Sequence, residues 1–160
     1  MILDNLLKNL IYDPVSVLGI LIFYILLVNL PISLWAAFTK KSSFIVKILT
    51  ILVNFFITLQ LIFRWSISGH FPISNLYESL YFLTWGITMG QLLIEREYQS
   101  PTIPSVAIPI ELFTVAFACF VLPDELRLSS NLVPALRSSW LIMHVSVVML
   151  SYAALILSLI

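Results

Sequence analysis

Two histidines and one carboxylate carry most of the chemistry that this sequence could support. His144 lies in the run Ser139-Trp140-Leu141-Ile142-Met143-His144-Val145. Helix residues four apart share a face, so His144 sits one turn below Trp140. Tryptophan marks a membrane–water boundary. At a helical rise of 1.5 Å per residue, the imidazole is then about 6 Å inside it. An ionisable group at that depth is a functional candidate, and neutral imidazole is a common metal ligand, to haem iron among others. The competing reading is a histidine hydrogen-bonded to a neighbouring helix.

His70 lies in the loop Arg64-Trp65-Ser66-Ile67-Ser68-Gly69-His70-Phe71-Pro72-Ile73-Ser74-Asn75, expected on the same membrane face as Trp140. Its two readings are a ligand and a solvated loop histidine. The loop is aromatic enough to fold onto the helices or onto a flat ligand. Glu111 follows Pro109 inside an apolar run. A carboxylate there is costly, so it should face protein and be protonated or paired. A proton relay and a structural hydrogen bond are both open to it. Asn54, Gln60 and Gln91 read as hydrogen-bond contacts between helices. Cys119 is the single cysteine, and with no CxxC pair it reads as a packing residue. There is no Walker loop, HExxH or GxSxG element, so nothing points to a self-contained enzyme.

The elements that must position these residues are membrane helices. Of 160 residues, 61% are hydrophobic and 10% charged, and the mean hydropathy is +1.06. Soluble domains carry about 25% charged residues, and a small domain could not bury so much apolar surface. The net charge of +0 leaves no electrostatic footprint for nucleic acid. Each span needs about 20 apolar residues, which predicts helices over 15–38, 44–63, 76–94, 103–122 and 140–160. The runs do not alternate as barrel strands would. Within 2–11, Leu3, Leu6, Leu7, Leu10 and Ile11 oppose Asp4, Asn5, Lys8 and Asn9, a short interfacial helix closed by Asp13-Pro14. The expected class is therefore all-α: one polytopic transmembrane bundle, 1–160, of about five spans plus that surface helix.

Asn75 and Glu78 have capping-box spacing at the third helix. Positive charge does not orient the bundle: Lys40, Lys41, Lys47 and Arg96 balance Lys8, Arg64, Arg127 and Arg137. No cleavable signal peptide is expected. The last run reaches Ile160 with nothing polar beyond it, which predicts an N-terminal portion, or a truncated product, of a longer membrane protein.

Two stretches resemble the CcsA (ResC-like) family of system II cytochrome c biogenesis, in its cyanobacterial and plastid branch. One is Gly69-His70-Phe71-Pro72-Ile73-Ser74-Asn75-Leu76-Tyr77-Glu78-Ser79-Leu80 with Tyr81-Phe82-Leu83-Thr84-Trp85. The other is Leu132-Val133-Pro134-Ala135-Leu136-Arg137-Ser138-Ser139-Trp140, continuing through His144 to Ser151-Tyr152-Ala153-Ala154. The resemblance implies that His144 is an axial ligand to the iron of transiently bound haem b on the lumenal or periplasmic face, with Trp140 and His70 nearby. It implies delivery and attachment of haem to apocytochrome c beside a ResB/CcsB-type membrane partner, in a thylakoid or bacterial plasma membrane. It also breaks the orientation tie, placing the 64–75 loop outside. The role is that of an assembly factor, at most part of a haem-attachment complex. The family's tryptophan-rich WWD segment and second outer-face histidine do not occur within these 160 residues. A carrier or channel subunit using Glu111, and an inert scaffold, are the readings that compete.

Overall fold

The structure, a computed structural model, describes residues 14–41, 43–73, 75–98, 100–123 and 139–159. The expected surface helix over 2–11, most of the 123–139 loop and the Leu132–Ser138 part of the second motif lie outside the described residues. Five helices account for nearly everything else, and the described residues contain no strand.

Helix α1 is Pro14–Thr39. It opens on proline, which suits a first turn whose N–H groups have no intrahelical partner. It closes where Lys40 turns to φ 52°. Lys40 N–H then donates to Ala37 O and Lys41 N–H to Ala36 O, both at 3.2 Å, a Schellman closure. Helix α2 is Phe44–Ser68 and stops at Gly69, whose φ of 69° returns its N–H to Trp65 O. Helix α3 is Leu76–Tyr98. Helix α4 is Thr102–Ala116, running on as a π-helical turn over Phe117–Val121. Helix α5 is Ser139–Ser158.

Short connections make α1 to α4 alternate in direction. Each packs on the next and α4 closes on α1, so the four form a ring. Its centre is apolar, built on Ile22, Leu26, Val53, Ile57, Ile108 and Val115. Helices α1, α2 and α4 are long and apolar enough to cross a membrane, and the apolar part of α5, Ile142–Ser158, is shorter. Helix α3 carries more polar side chains and turns them inward, burying Thr84, Thr88 and Gln91. The all-α class stands, and the chain is a multi-pass membrane protein.

Helix α2 continues past the expected end of its apolar run at residue 63 and takes in Arg64, which is buried rather than in the loop. Helix α5 lies outside the ring and packs chiefly on α3. The contact is made at Gly86-Ile87-Thr88-Met89-Gly90, a small-xxx-small stripe that lets backbones approach closely. A Cβ on Gly86 would stand 3.1 Å from Ala153 Cβ, and one on Gly90 would meet the tip of Leu157. Those two pairings share one offset, so α3 and α5 run parallel and in step.

Candidate functional site

The α5 start positions the first two candidates. Trp140 occupies the opening turn, 81% exposed, and His144 is exposed one turn further on. Counting back from the Gly86–Ala153 and Gly90–Leu157 pairings sets His144 level with Tyr77, near the bundle end that carries the 69–75 loop. Among the described residues no side chain hydrogen-bonds the His144 ring. The alternative of an imidazole tied to a neighbouring helix therefore finds no partner among them.

His70 follows the α2 terminus at the same end and is half-buried. Its Nδ1 is 3.3 Å from Phe71 O, while its Nε2 is shielded from solvent and has no hydrogen-bond partner among the described residues. The loop around it folds onto the helices. Phe71 stands edge-on to Trp65 at 5.4 Å and to Phe82 at 6.0 Å, and Phe82 stacks on Trp85 at 5.7 Å. Trp85 Nε1 donates to Thr58 Oγ1 at 3.0 Å, anchoring this aromatic ladder to α2. No hydrogen bond or ring contact among the described residues joins His70, Trp140 and His144. The described residues also contain no group of three or more His, Cys, Asp or Glu able to hold a metal ion.

Beneath the loop lies a polar layer whose Arg64–Glu78 pair sequence reasoning missed, though it marked Gln60 as an interhelical contact. Arg64 Nε donates to Glu78 Oε1 at 3.0 Å, both side chains buried, and the guanidinium lies 4.8 Å over the Tyr77 ring. Glu78, at capping-box spacing from Asn75, gives its Oε1 to Arg64 on the adjacent helix. The available signal was opposite charge at the facing ends of α2 and α3. Gln60 Nε2 donates to Tyr77 OH at 2.8 Å, and Tyr81 OH and Cys119 Sγ are 3.1 Å apart. Cys119 is thus a packing residue with a hydroxyl partner. Gly19 makes room here, since a Cβ would collide with Tyr81 OH.

The interhelical contacts expected of Asn54 and Gln91 are present. Asn54 Nδ2 donates to Thr88 Oγ1 at 2.8 Å, and Gln91 Nε2 reaches Thr50 Oγ1 at 3.5 Å. Glu111 is fully enclosed, and neither of its oxygens has a hydrogen-bond partner among the described residues. It lies at the middle of α4, one turn from Ile108 of the apolar centre.

Comparison with known proteins bears on this arrangement. Residues 73–160 match the family described as Cytochrome C assembly protein. Over 157 residues the chain is 87% identical to the cytochrome c biogenesis protein CcsA of Prochlorococcus marinus strain MIT 9215, covering 98% of this chain and 51% of that protein. It is 55% identical over 154 residues to the CcsA of strain NATL2A, covering 96% and 49% respectively. The chain spans about half the length of the curated relatives it matches. The matched segment takes in all of α3, α4 and α5, hence His144 and the helix it is packed on: the chain belongs to the cytochrome c assembly protein family.

Proposed function

We propose that this chain acts in haem delivery and attachment to apocytochromes c, with His144 as an axial ligand to haem iron at the membrane boundary. The observation that carries the reading is an exposed imidazole without a protein partner among the described residues, one turn from an exposed tryptophan, on a helix fixed by close contact to α3. Haem is flat and largely apolar with two charged propionates, so a ligand at the edge of the hydrocarbon suits it. The residues fit the group: the ring nitrogens of His144 are not committed elsewhere among the described residues, and Trp140 offers an indole face beside them. His70, with its uncommitted Nε2, is the second candidate at the same end of the bundle.

Bound transiently, haem b supplies the vinyl groups that apocytochrome thiols take up in thioether bonds. The chain's own residues bind and orient it. No side-chain nucleophile is called for, which makes this an assembly factor rather than an enzyme. The reading carries with it a ResB/CcsB-type membrane partner, an apocytochrome c client, a thylakoid or bacterial plasma membrane, and a haem face at the His70 end.

The test is an absorption spectrum of the protein purified from membranes. A Soret band is expected in the wild type. It should be lost in His144→Ala and His144→Gly and restored to the glycine variant by added imidazole. A band unchanged in both variants removes His144 from the proposal.

A further inference from the structure

From its middle to its lysine-bearing end, the ring buries polar side chains from all four of its helices: Asn29 of α1, Thr50 of α2, Gln91 and Glu95 of α3, and Glu111 of α4. Asn29 Nδ2 donates to Thr50 Oγ1 at 3.3 Å. Gln91 Nε2 reaches the same hydroxyl and Glu95 Oε1 at 2.9 Å. The Thr50 hydroxyl itself donates to Val46 O at 2.9 Å. The amide N–H groups are thereby directed to Thr50 and Glu95, and what remains is all acceptor. Asn29 Oδ1, Gln91 Oε1 and both oxygens of Glu111 are shielded from solvent and have no hydrogen-bond partner among the described residues. All three residues are 0% exposed. Glu111 is within electrostatic range of Glu95, which in turn feels Lys47.

Leaving several buried acceptors unmet is costly, and their chemistry says what would meet them. The set is oxygen only, without nitrogen or sulfur, which is the preference of hard cations. Lys47 acts electrostatically on Glu95, which leaves Glu111 to balance one positive charge. The described parts of α1 and α4 contain no lysine or arginine to do so. A proton on Glu111 would serve one oxygen and leave the amide carbonyls unmet, whereas one cation can face all of them. Ile22, Leu26, Val53 and Ile57 close the site from the other end, while Glu95, 8% exposed, and half-buried Lys47 mark its approach.

We propose that Asn29, Gln91 and Glu111 form a binding site for one sodium-sized monovalent cation, entered from the lysine-bearing end and closed at the other. The site is a terminus and not a path across the bundle. It is independent of haem.

The test is thermal unfolding of the whole chain in detergent micelles, in sodium chloride against choline chloride at equal ionic strength. Tm should rise with sodium concentration in the wild type, because a ligand bound only by the native state stabilises it. Choline should not produce that rise. Glu111→Gln should abolish the sodium dependence. Asn29→Ala should raise the half-saturating sodium concentration about 10-fold or more, and Glu97→Gln, at an exposed position, should leave it unchanged. The absence of a sodium-specific rise in the wild type overturns the site, Glu111 then being a protonated carboxyl. So does an equal rise in Glu111→Gln. If that variant does not fold, Asn29→Ala and Gln91→Ala decide, and an unaltered sodium response in both overturns the proposal.

Discussion

Replacing each glycine of the α3 stripe by alanine should give opposite results at positions only one turn apart. At Gly86 the new methyl would lie 3.1 Å from Ala153 Cβ and 3.4 Å from Leu150 Cδ2. Carbon atoms prefer about 3.5–4.0 Å, so the gap is short by about half an ångström. Ala153 Cβ is fixed to its backbone, and relief requires α5 to move. Overpacking of this kind costs about 1–3 kcal/mol, against a helix-propensity gain of about 1 kcal/mol for losing glycine. The net effect of Gly86→Ala is a loss of up to about 2 kcal/mol, worked from those two terms. At Gly90 the obstacle is the end of the Leu157 side chain, which can rotate away, so Gly90→Ala should be neutral or mildly stabilising. Unfolding in mixed micelles of rising SDS fraction reads the stabilities. Disulfide trapping between cysteines placed on α3 and α5 reads the helix separation. Gly86→Ala as stable as wild type, with Gly90→Ala the worse of the two, would refute the packing described for α5.

The Arg64–Glu78 pair is buried on both sides, so Arg64→Met or Glu78→Leu alone should cost about 3–5 kcal/mol by stranding a charge. The double variant should recover much of that, and a double-mutant cycle in the same unfolding assay measures the coupling. Gly69 has a φ of 69°, and a methyl added there would meet nothing within 4 Å, so Gly69→Ala should cost about 1–2 kcal/mol through backbone strain alone. Lys40→Gly, at φ 52°, should move the unfolding midpoint the other way.

The helices were legible because apolar runs of membrane length admit few other structures. Asn54, Gln60 and Gln91 were legible for the same reason, since polar groups in such runs need partners on neighbouring helices. Arg64 was not. A charged residue at the edge of an apolar run reads as the start of a loop, and only the position of Glu78 on α3 makes its burial favourable. The Gly86–Gly90 stripe is visible as spacing, but spacing alone does not say which helix it meets, and α5 is distant in sequence. Glu111 was marked as costly from its surroundings, whereas the acceptors around it come from helices whose order in the ring no local pattern specifies. His144 keeps its place one turn beyond Trp140 because that relation is internal to one helix.

Parallel helices locked by small residues can slip only by finding another set of matching contacts, and on an α-helix the next comparable set is about 5.4 Å away. The level of the imidazole relative to α3 is therefore stepped rather than continuous. The haem ligation proposed for His144 would need its level held more finely than one such step. The glycine stripe thus works as a depth gauge for the ring of His144, indifferent to small breathing of the helices and sensitive to a change of register.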